Sequence, residues 1–122
     1  EWCNLGAGTT NSNLKNNAGI VKVWTPKGQL DAGIRCGVMM GDYSRTAVNT
    51  AINTGTVVGV SCNVYGTGLT PKYIPSFSWG SEGVKRYDFQ KALLDAESWK
   101  QLKGHTLLEN EKSILKYIFD HY

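Results

Sequence analysis

Residues 40–69 read MGDYSR, TAVNTA, INTGTV, VGVSCN, VYGTGL when they are cut into sixes. The first and fifth places of each six keep their character: the first holds Met40, Thr46, Ile52, Val58 and Val64, and the fifth holds Ser44, Thr50, Thr56, Cys62 and Gly68. A period of six fits neither an amphipathic helix nor an alternating strand. It is typical of a parallel β-helix, in which three short strands make one turn and these two places face inward.

The rest of the chain interrupts or follows this repeat. An earlier copy, LGAGTT, occupies residues 5–10, and residues 14–37 then leave the repeat as a β-hairpin insertion with a Thr-Pro-Lys-Gly turn at residues 25–28. Residues 70–80 hold two of the three prolines, which predicts an extended arm packed by its rings on the coil or on a neighbouring subunit. We therefore expect a mainly β domain over residues 1–80, a left-handed parallel β-helix with an inserted hairpin, and a helical appendage over residues 81–122.

Two amphipathic helices are predicted in the appendage. Apolar residues recur at spacings of three and four after Asp88, an acceptable N-cap, and Gly104 is a plausible stop. Thr106 and Glu109 have the spacing of a capping box that opens a second helix. Both apolar faces need a surface to cover, and the flank or open end of the β-helix is the expected one.

Composition limits the class of protein. The chain has 122 residues and a formal net charge of +3, which suits one domain with an anionic ligand and is too weak to indicate a nucleic-acid partner. Three cysteines without CxxC spacing predict neither a disulfide framework nor a metal site. No long apolar run or signal peptide is present, so we expect a cytoplasmic protein without a membrane partner. Because the repeat is under way at Asn4, we expect the chain to be a piece of a longer protein.

The order of these motifs resembles a known family. NLGAGT at residues 4–9, then Asn13, a hairpin, Gly41-Asp42 and resumed sixes to Gly66 are similar to the acetyltransferase domain of the bifunctional N-acetylglucosamine-1-phosphate uridylyltransferase/glucosamine-1-phosphate acetyltransferase. Related sugar-1-phosphate nucleotidylyltransferases with left-handed β-helix tails carry a similar order. The resemblance covers roughly residues 4 to 70, and the left hand of the coil comes from it alone, since crossovers are otherwise right-handed.

The resemblance implies a homotrimer that transfers the acetyl group of acetyl-CoA to the amine of an amino-sugar phosphate. By position, Asn4 and Asn13 correspond to catalytic asparagines that contact the sugar and the reacting groups. Ala7, Val48 and Gly66 correspond to residues that line the binding groove of the acyl donor. Magnesium belongs only to the nucleotidylyltransferase half of such proteins, and this chain shows neither its Gly-rich loop nor its paired aspartates.

The chain also departs from the family pattern. Val48 stands where the family has a serine near the thioester oxygen, and a valine side chain donates no hydrogen bond. Leu14 replaces a tyrosine, and Gly66 replaces an alanine. The family's catalytic histidine lies before NLGAGT, outside this chain, while His105 and His121 are expected to be exposed residues without a chemical role. This chain is therefore expected to trimerise and to show almost no turnover by itself.

Alternatives stay open at several positions. Asn4, Asn13 and Asn49 are either functional or turn asparagines. Six cations are either ligands of CoA phosphates or solvated surface residues: Lys15, Lys22, Arg45, Lys72, Lys85 and Arg86. Tyr65 and the cluster of Tyr73, Phe77 and Trp79 flank a nucleotide or pack in a trimer interface. The whole chain is an acetyltransferase domain, an oligomerisation and regulatory tail of a uridylyl- or thymidylyltransferase, or a structural solenoid without a ligand.

Overall fold

The computed structural model describes residues 1–82 and 85–122. Its elements are, in chain order, β1 (Asn4–Leu5), β2 (Thr10–Asn11), β3 (Lys22–Thr25), β4 (Gly28–Asp31), β5 (Met39–Met40), β6 (Arg45–Thr46), β7 (Ala51–Ile52), β8 (Val57–Val58), β9 (Asn63–Val64), β10 (Tyr73–Ile74), α1 (Phe89–Gln101) and α2 (Glu109–His121). The strands of the repeat are only two residues long, and each helix has 13 residues. Neither helix is long and apolar enough to cross a bilayer.

The sixfold period sets which residues pair and which are buried. Met40 pairs in parallel with Val58, and Thr46 with Val64, so each residue lies beside the one three repeat units further on. The inward places predicted from the repeat are mostly buried: Ser44, Thr46, Thr50, Ile52, Thr56, Val58, Cys62 and Val64. The hydroxyl groups on these places bond to backbone carbonyls, either in a neighbouring segment, as Ser44 does to Gly59 at 2.6 Å, or three residues earlier, as Thr50 does to Ala47 at 2.8 Å. The prediction of the inward positions is confirmed.

The predicted fold class, a left-handed parallel β-helix, is wrong. The parallel strands form separate small sheets, β1-β6-β9, β10-β8-β5 and the pair β2-β7, and the described residues form no closed or solenoid structure. Together with two helices they make a weakly mixed α/β chain. The reason is the length of the repeat: five consecutive units make fewer than two turns, and a repeat architecture needs several stacked turns to bury a continuous core.

The insertion is a β-hairpin, as predicted. β3 and β4 pair antiparallel with Trp24 opposite Gln29. The Trp24 ring stacks on Tyr73, with 3.6 Å between ring centroids and 8° between planes, so the hairpin is fastened to β10. The segment 70–80 accordingly packs on the sheets, because β10 pairs in parallel with β8 and the Phe77 ring is fully buried.

The described residues form a larger and a smaller apolar cluster, and the two helices contribute side chains to the larger one. Tyr43 and Phe77 from the strand region meet Ala92, Ala96 and Leu115 from the helices. A smaller cluster lies between the sheets and comprises Val58, Cys62, Val64 and Ile74. The helices therefore supply much of the apolar surface that the short strands have to bury.

The predicted helix starts are right for α1 and wrong for α2. The Asp88 carboxylate accepts a hydrogen bond from the Lys91 N–H at 2.9 Å, which is the expected N-cap. The N-cap residue of α2 is instead Leu108, two positions after the predicted cap Thr106, and its side chain makes no cap bond. Glu111 makes the second bond of a capping box: its Oε2 accepts a hydrogen bond from the Leu108 N–H at 2.8 Å.

Glu111 also ties α2 to the rest of the chain. Its carboxylate accepts bonds from the Lys100 ammonium, at 2.7 Å to each oxygen, and from the Tyr43 hydroxyl at 2.8 Å. Lys100 is 5 % exposed, so this ion pair stands at the buried junction of α1, α2 and the strands. The Lys100 ammonium and the other donors lower the pKa of Glu111 to about 2.

Candidate functional site

The three residues that the resemblance places along the acyl donor occupy equivalent positions in one sheet. Leu5, Thr46 and Val64 are the last residues of β1, β6 and β9 and are paired with one another in parallel. Ala7, Val48 and Gly66 each follow the end of their strand by two residues. They form what we call the donor column, at the end of a sheet to which three distant segments contribute.

Backbone contacts hold the first two segments of the donor column together. The Asn49 N–H donates to the Ala7 carbonyl at 2.8 Å, next to Val48. A side chain at Gly6 would place its Cβ 2.5 Å from the Ala47 carbonyl carbon, so only glycine permits this approach. The NLGAGT stretch is therefore glycine-rich at this point because two backbones pass in contact.

The surface of the donor column is open and largely apolar. The Val48 side chain is 65 % exposed, and Leu5 beside it is 53 % exposed. The valine brings shape and apolar area to this surface and no hydrogen-bond donor. Any polar contact with a thioester oxygen here would have to come from another group.

A cavity of about 470 Å³ opens at Gly66. Tyr65 and Trp79 form an aromatic corner of its wall, with ring centroids 6.0 Å apart at 80°, and the lining carries charges of both signs, from Lys85 and Glu82. Aromatic faces and a cation are the groups that a nucleotide base and its phosphates use. The volume of the cavity lies within the range of small-molecule sites and is large enough for part of a nucleotide cofactor.

The two predicted catalytic asparagines are not brought together. Asn4 lies in β1 opposite Arg45, at the other end of the strand from Ala7. Asn13 follows β2 in a different sheet, is exposed, and its carbonyl accepts the Cys36 N–H at 2.9 Å. The geometry therefore groups the predicted donor-binding residues and separates the predicted catalytic ones.

The cations that the sequence offered as phosphate ligands fall into different environments. Lys22 pairs with Asp31 on the hairpin, and the Arg86 guanidinium lies 4.0 Å from the centroid of the Phe119 ring. Arg45 is 8 % exposed, so it is no surface cation, and its Nη2 faces the Tyr87 hydroxyl at 3.4 Å. Lys85 lines the cavity at Gly66, and Lys15 and Lys72 line another cavity.

Sequence reasoning missed a polar group formed by Arg45, Tyr87 and Asp95. Tyr87 is buried, its hydroxyl donates to Asp95, and Arg45 lies beside it. Burial and the Asp95 carboxylate raise the pKa of Tyr87 to about 12, against a smaller opposing effect of the Arg45 charge. Tyr87 precedes α1, and Asp95 lies within it, so no local pattern links them to Arg45. The group anchors α1 to the three-stranded sheet.

Both histidines are exposed and packed against aromatic rings. His105 makes an edge contact with Trp2, with 5.3 Å between ring centroids, and His121 stacks on Tyr117 at 4.0 Å. Nδ1 of His121 lies 2.8 Å from the Tyr117 carbonyl. In the part of the chain that the structure describes, no three His, Cys, Asp or Glu side chains come together as a metal site would require.

Comparisons with protein-family models and with curated protein sequences found no match for this chain. The resemblance to the acetyltransferase domain thus depends on the quoted motifs alone.

Proposed function

We propose that this chain binds acetyl-CoA at the donor column and serves in N-acetylation of an amino-sugar 1-phosphate. The observation that supports the proposal is the alignment of Ala7, Val48 and Gly66 at one end of the sheet β1-β6-β9.

The cavity at Gly66 adds a place for the nucleotide part of the donor. The aromatic rings of Tyr65 and Trp79 stand next to the third member of the donor column and offer a surface to the nucleotide base, while Lys85 and Glu82 both line the cavity. Val48 and Ala7, both exposed on the open surface of the donor column, offer apolar area to the uncharged pantetheine arm. A general base for the sugar amine is supplied from outside this chain in the proposed reaction, so donor binding rather than turnover is the property to test.

The experiment is a calorimetric titration of coenzyme A into the wild-type chain and two variants. Val48→Trp fills the donor column, and Leu30→Trp changes an equally accessible aliphatic residue, since Leu30 on β4 is 61 % exposed. We expect saturable binding by the wild type, at least a tenfold loss in Val48→Trp and less than a twofold change in Leu30→Trp. Unchanged binding by Val48→Trp, or no binding by a folded wild-type chain, would overturn the assignment.

We also propose, as the second candidate, that the chain is an oligomerisation tail of a sugar-1-phosphate nucleotidylyltransferase. Exposed aliphatic side chains on the sheets favour it: Leu5 is 53 %, Val48 65 % and Leu69 63 % exposed. Burying such an apolar surface in a homotrimer is energetically favourable. Leu69→Lys should then yield monomers by light scattering, while Leu102→Lys, at the end of α1, should not. A wild-type chain that stays monomeric at high concentration would exclude this function.

A further inference from the structure

A second cavity, of about 530 Å³, lies outside the donor column, and Leu69 is among its lining residues. It is walled by the segment after β2, by the corner after β7 and by the segment before β10. Its polar lining includes Lys15, Asn17, Asn53, Thr54 and Lys72. No residue of the donor column lines it, so it is a separate site.

The charges in this cavity have one sign. Lys15 and Lys72 both line it, and the lining residues, all in the described part of the chain, include no aspartate or glutamate. Two ammonium groups that face one cavity repel each other in the absence of an anion. The pKa of Lys72 is lowered, chiefly by burial and then by the charge of Lys15.

Lys72 is held in place by its own hydrogen bonds. Its ammonium donates to the Thr54 hydroxyl at 2.8 Å and also to the Thr54 carbonyl. An ammonium has three N–H donors, so one is left for a further acceptor. A lysine fixed in this way has little side-chain freedom left to lose when it binds an anion.

The amide side chains of the cavity are also left as donors. The Asn53 Oδ1 accepts the Thr54 N–H at 2.8 Å, and the Asn17 Oδ1 accepts the Gly19 N–H at 2.9 Å. Each amide thereby uses its acceptor within the protein and keeps its NH₂ group for another partner. Two ammonium groups and two amide NH₂ groups make a lining rich in donors, which matches a ligand rich in acceptor oxygens.

We propose that this cavity binds the phosphate group of a small phosphorylated molecule, held by Lys15, Lys72, Asn17 and Asn53. The volume lies within the range of small-molecule sites and exceeds what a single ion needs. A free phosphate ion, an amino-sugar 1-phosphate and the 3′-phosphate of coenzyme A share this chemistry. The inference does not depend on acetyl transfer.

The test is a set of titrations monitored by backbone amide chemical shifts, with inorganic phosphate, glucosamine 1-phosphate and coenzyme A as separate probes. We expect saturable shifts at Asn53 and Thr54 with phosphate, and tighter binding of whichever phosphorylated molecule fills the cavity. Lys15→Met/Lys72→Met should weaken binding at least tenfold. Lys27→Met, in the turn of the hairpin and outside the cavity, should change it less than twofold.

Folding is controlled separately, because Lys72→Met also removes the bonds to Thr54. Lys15→Glu makes no such change and should abolish binding through charge repulsion while leaving the melting temperature within a few degrees. Shifts that never saturate, or affinity unchanged in Lys15→Glu, would overturn the proposal. Val48→Trp should keep phosphate binding even where it loses coenzyme A, so failure of either site is seen independently.

Discussion

Glu111→Gln removes the one charge that joins α2 to both Lys100 and Tyr43. The wild-type pKa lies at about 2 instead of 4.5, and this difference corresponds to about 3 kcal/mol between the ionised and protonated carboxyl. The Glu111 side chain is 26 % exposed, and solvent screening reduces the contribution to stability to about 2 kcal/mol. We therefore expect Glu111→Gln to lower the free energy of unfolding by about 2 kcal/mol at pH 7.

The pH dependence gives the sign of the same effect. A carboxyl whose pKa is depressed by folding adds stability that is fully present above its unfolded pKa of about 4.5 and is lost as the pH falls to about 2. Urea unfolding of wild type and Glu111→Gln at several pH values between 7 and 2 should show curves that converge at the acid end. Because the other carboxyl groups titrate in both proteins, their contributions to stability cancel in the difference between the two curves.

Glu109→Gln is the matched control for this measurement. Glu109 lies in the same first turn of α2, and its ion pair with Lys112, at 3.0 Å, is at the surface, with Glu109 89 % exposed. Its replacement should cost less than about 1 kcal/mol at neutral pH. A pH-independent gap between wild type and Glu111→Gln, or an equal loss in Glu109→Gln, would refute the assigned role of Glu111.

Three further predictions test local features of the chain. Gly6→Ala should lower the free energy of unfolding by about 1–3 kcal/mol, because the new Cβ clashes with the Ala47 backbone. Gly37→Ala is the control, since its Cβ meets only the movable Asn11 amide. Urea melts of both variants check this prediction, and equal losses would count against it. Asp88→Ala should cost about 1 kcal/mol in the same assay by removing the N-cap bond of α1, and a loss below the error of the melt would contradict that role. In the native protein Cys62, whose pKa is raised by burial, should resist alkylation while exposed Cys3 reacts, as peptide mass spectrometry would show; equal labelling would indicate that the interior opens readily.

Several features follow from short-range patterns and could be predicted. The hairpin was found from its turn residues, and Asp88 from its place before an amphipathic run. The inward positions of the sixes were found because burial follows the period of the repeat. In each case a few neighbouring residues carry the physical cause, whether turn geometry, capping or alternation of faces.

Other features needed contacts between distant segments. The sequence predicts Thr106 as the cap of α2, whereas in the structure Glu111 bonds to the Leu108 N–H and also to the distant Lys100 and Tyr43. The sequence predicts Arg45 as a phosphate ligand or a solvated surface cation, whereas the structure buries it beside the Tyr87 hydroxyl. The fold class was wrong because a period predicts the environment of each strand and does not predict how far the stack continues.

The candidate sites divide in the same way. From the sequence alone, the spacing of six predicts which places of each unit face inward, and the resemblance selects Ala7, Val48 and Gly66. The tertiary structure is needed to align these three residues at one end of a sheet, to leave Asn13 in another sheet, and to bring Lys15 and Lys72 to one cavity. Local periodicity acts through the backbone geometry of adjacent units. The meeting of distant side chains depends instead on how the interrupting segments pack, and no repeat encodes that packing.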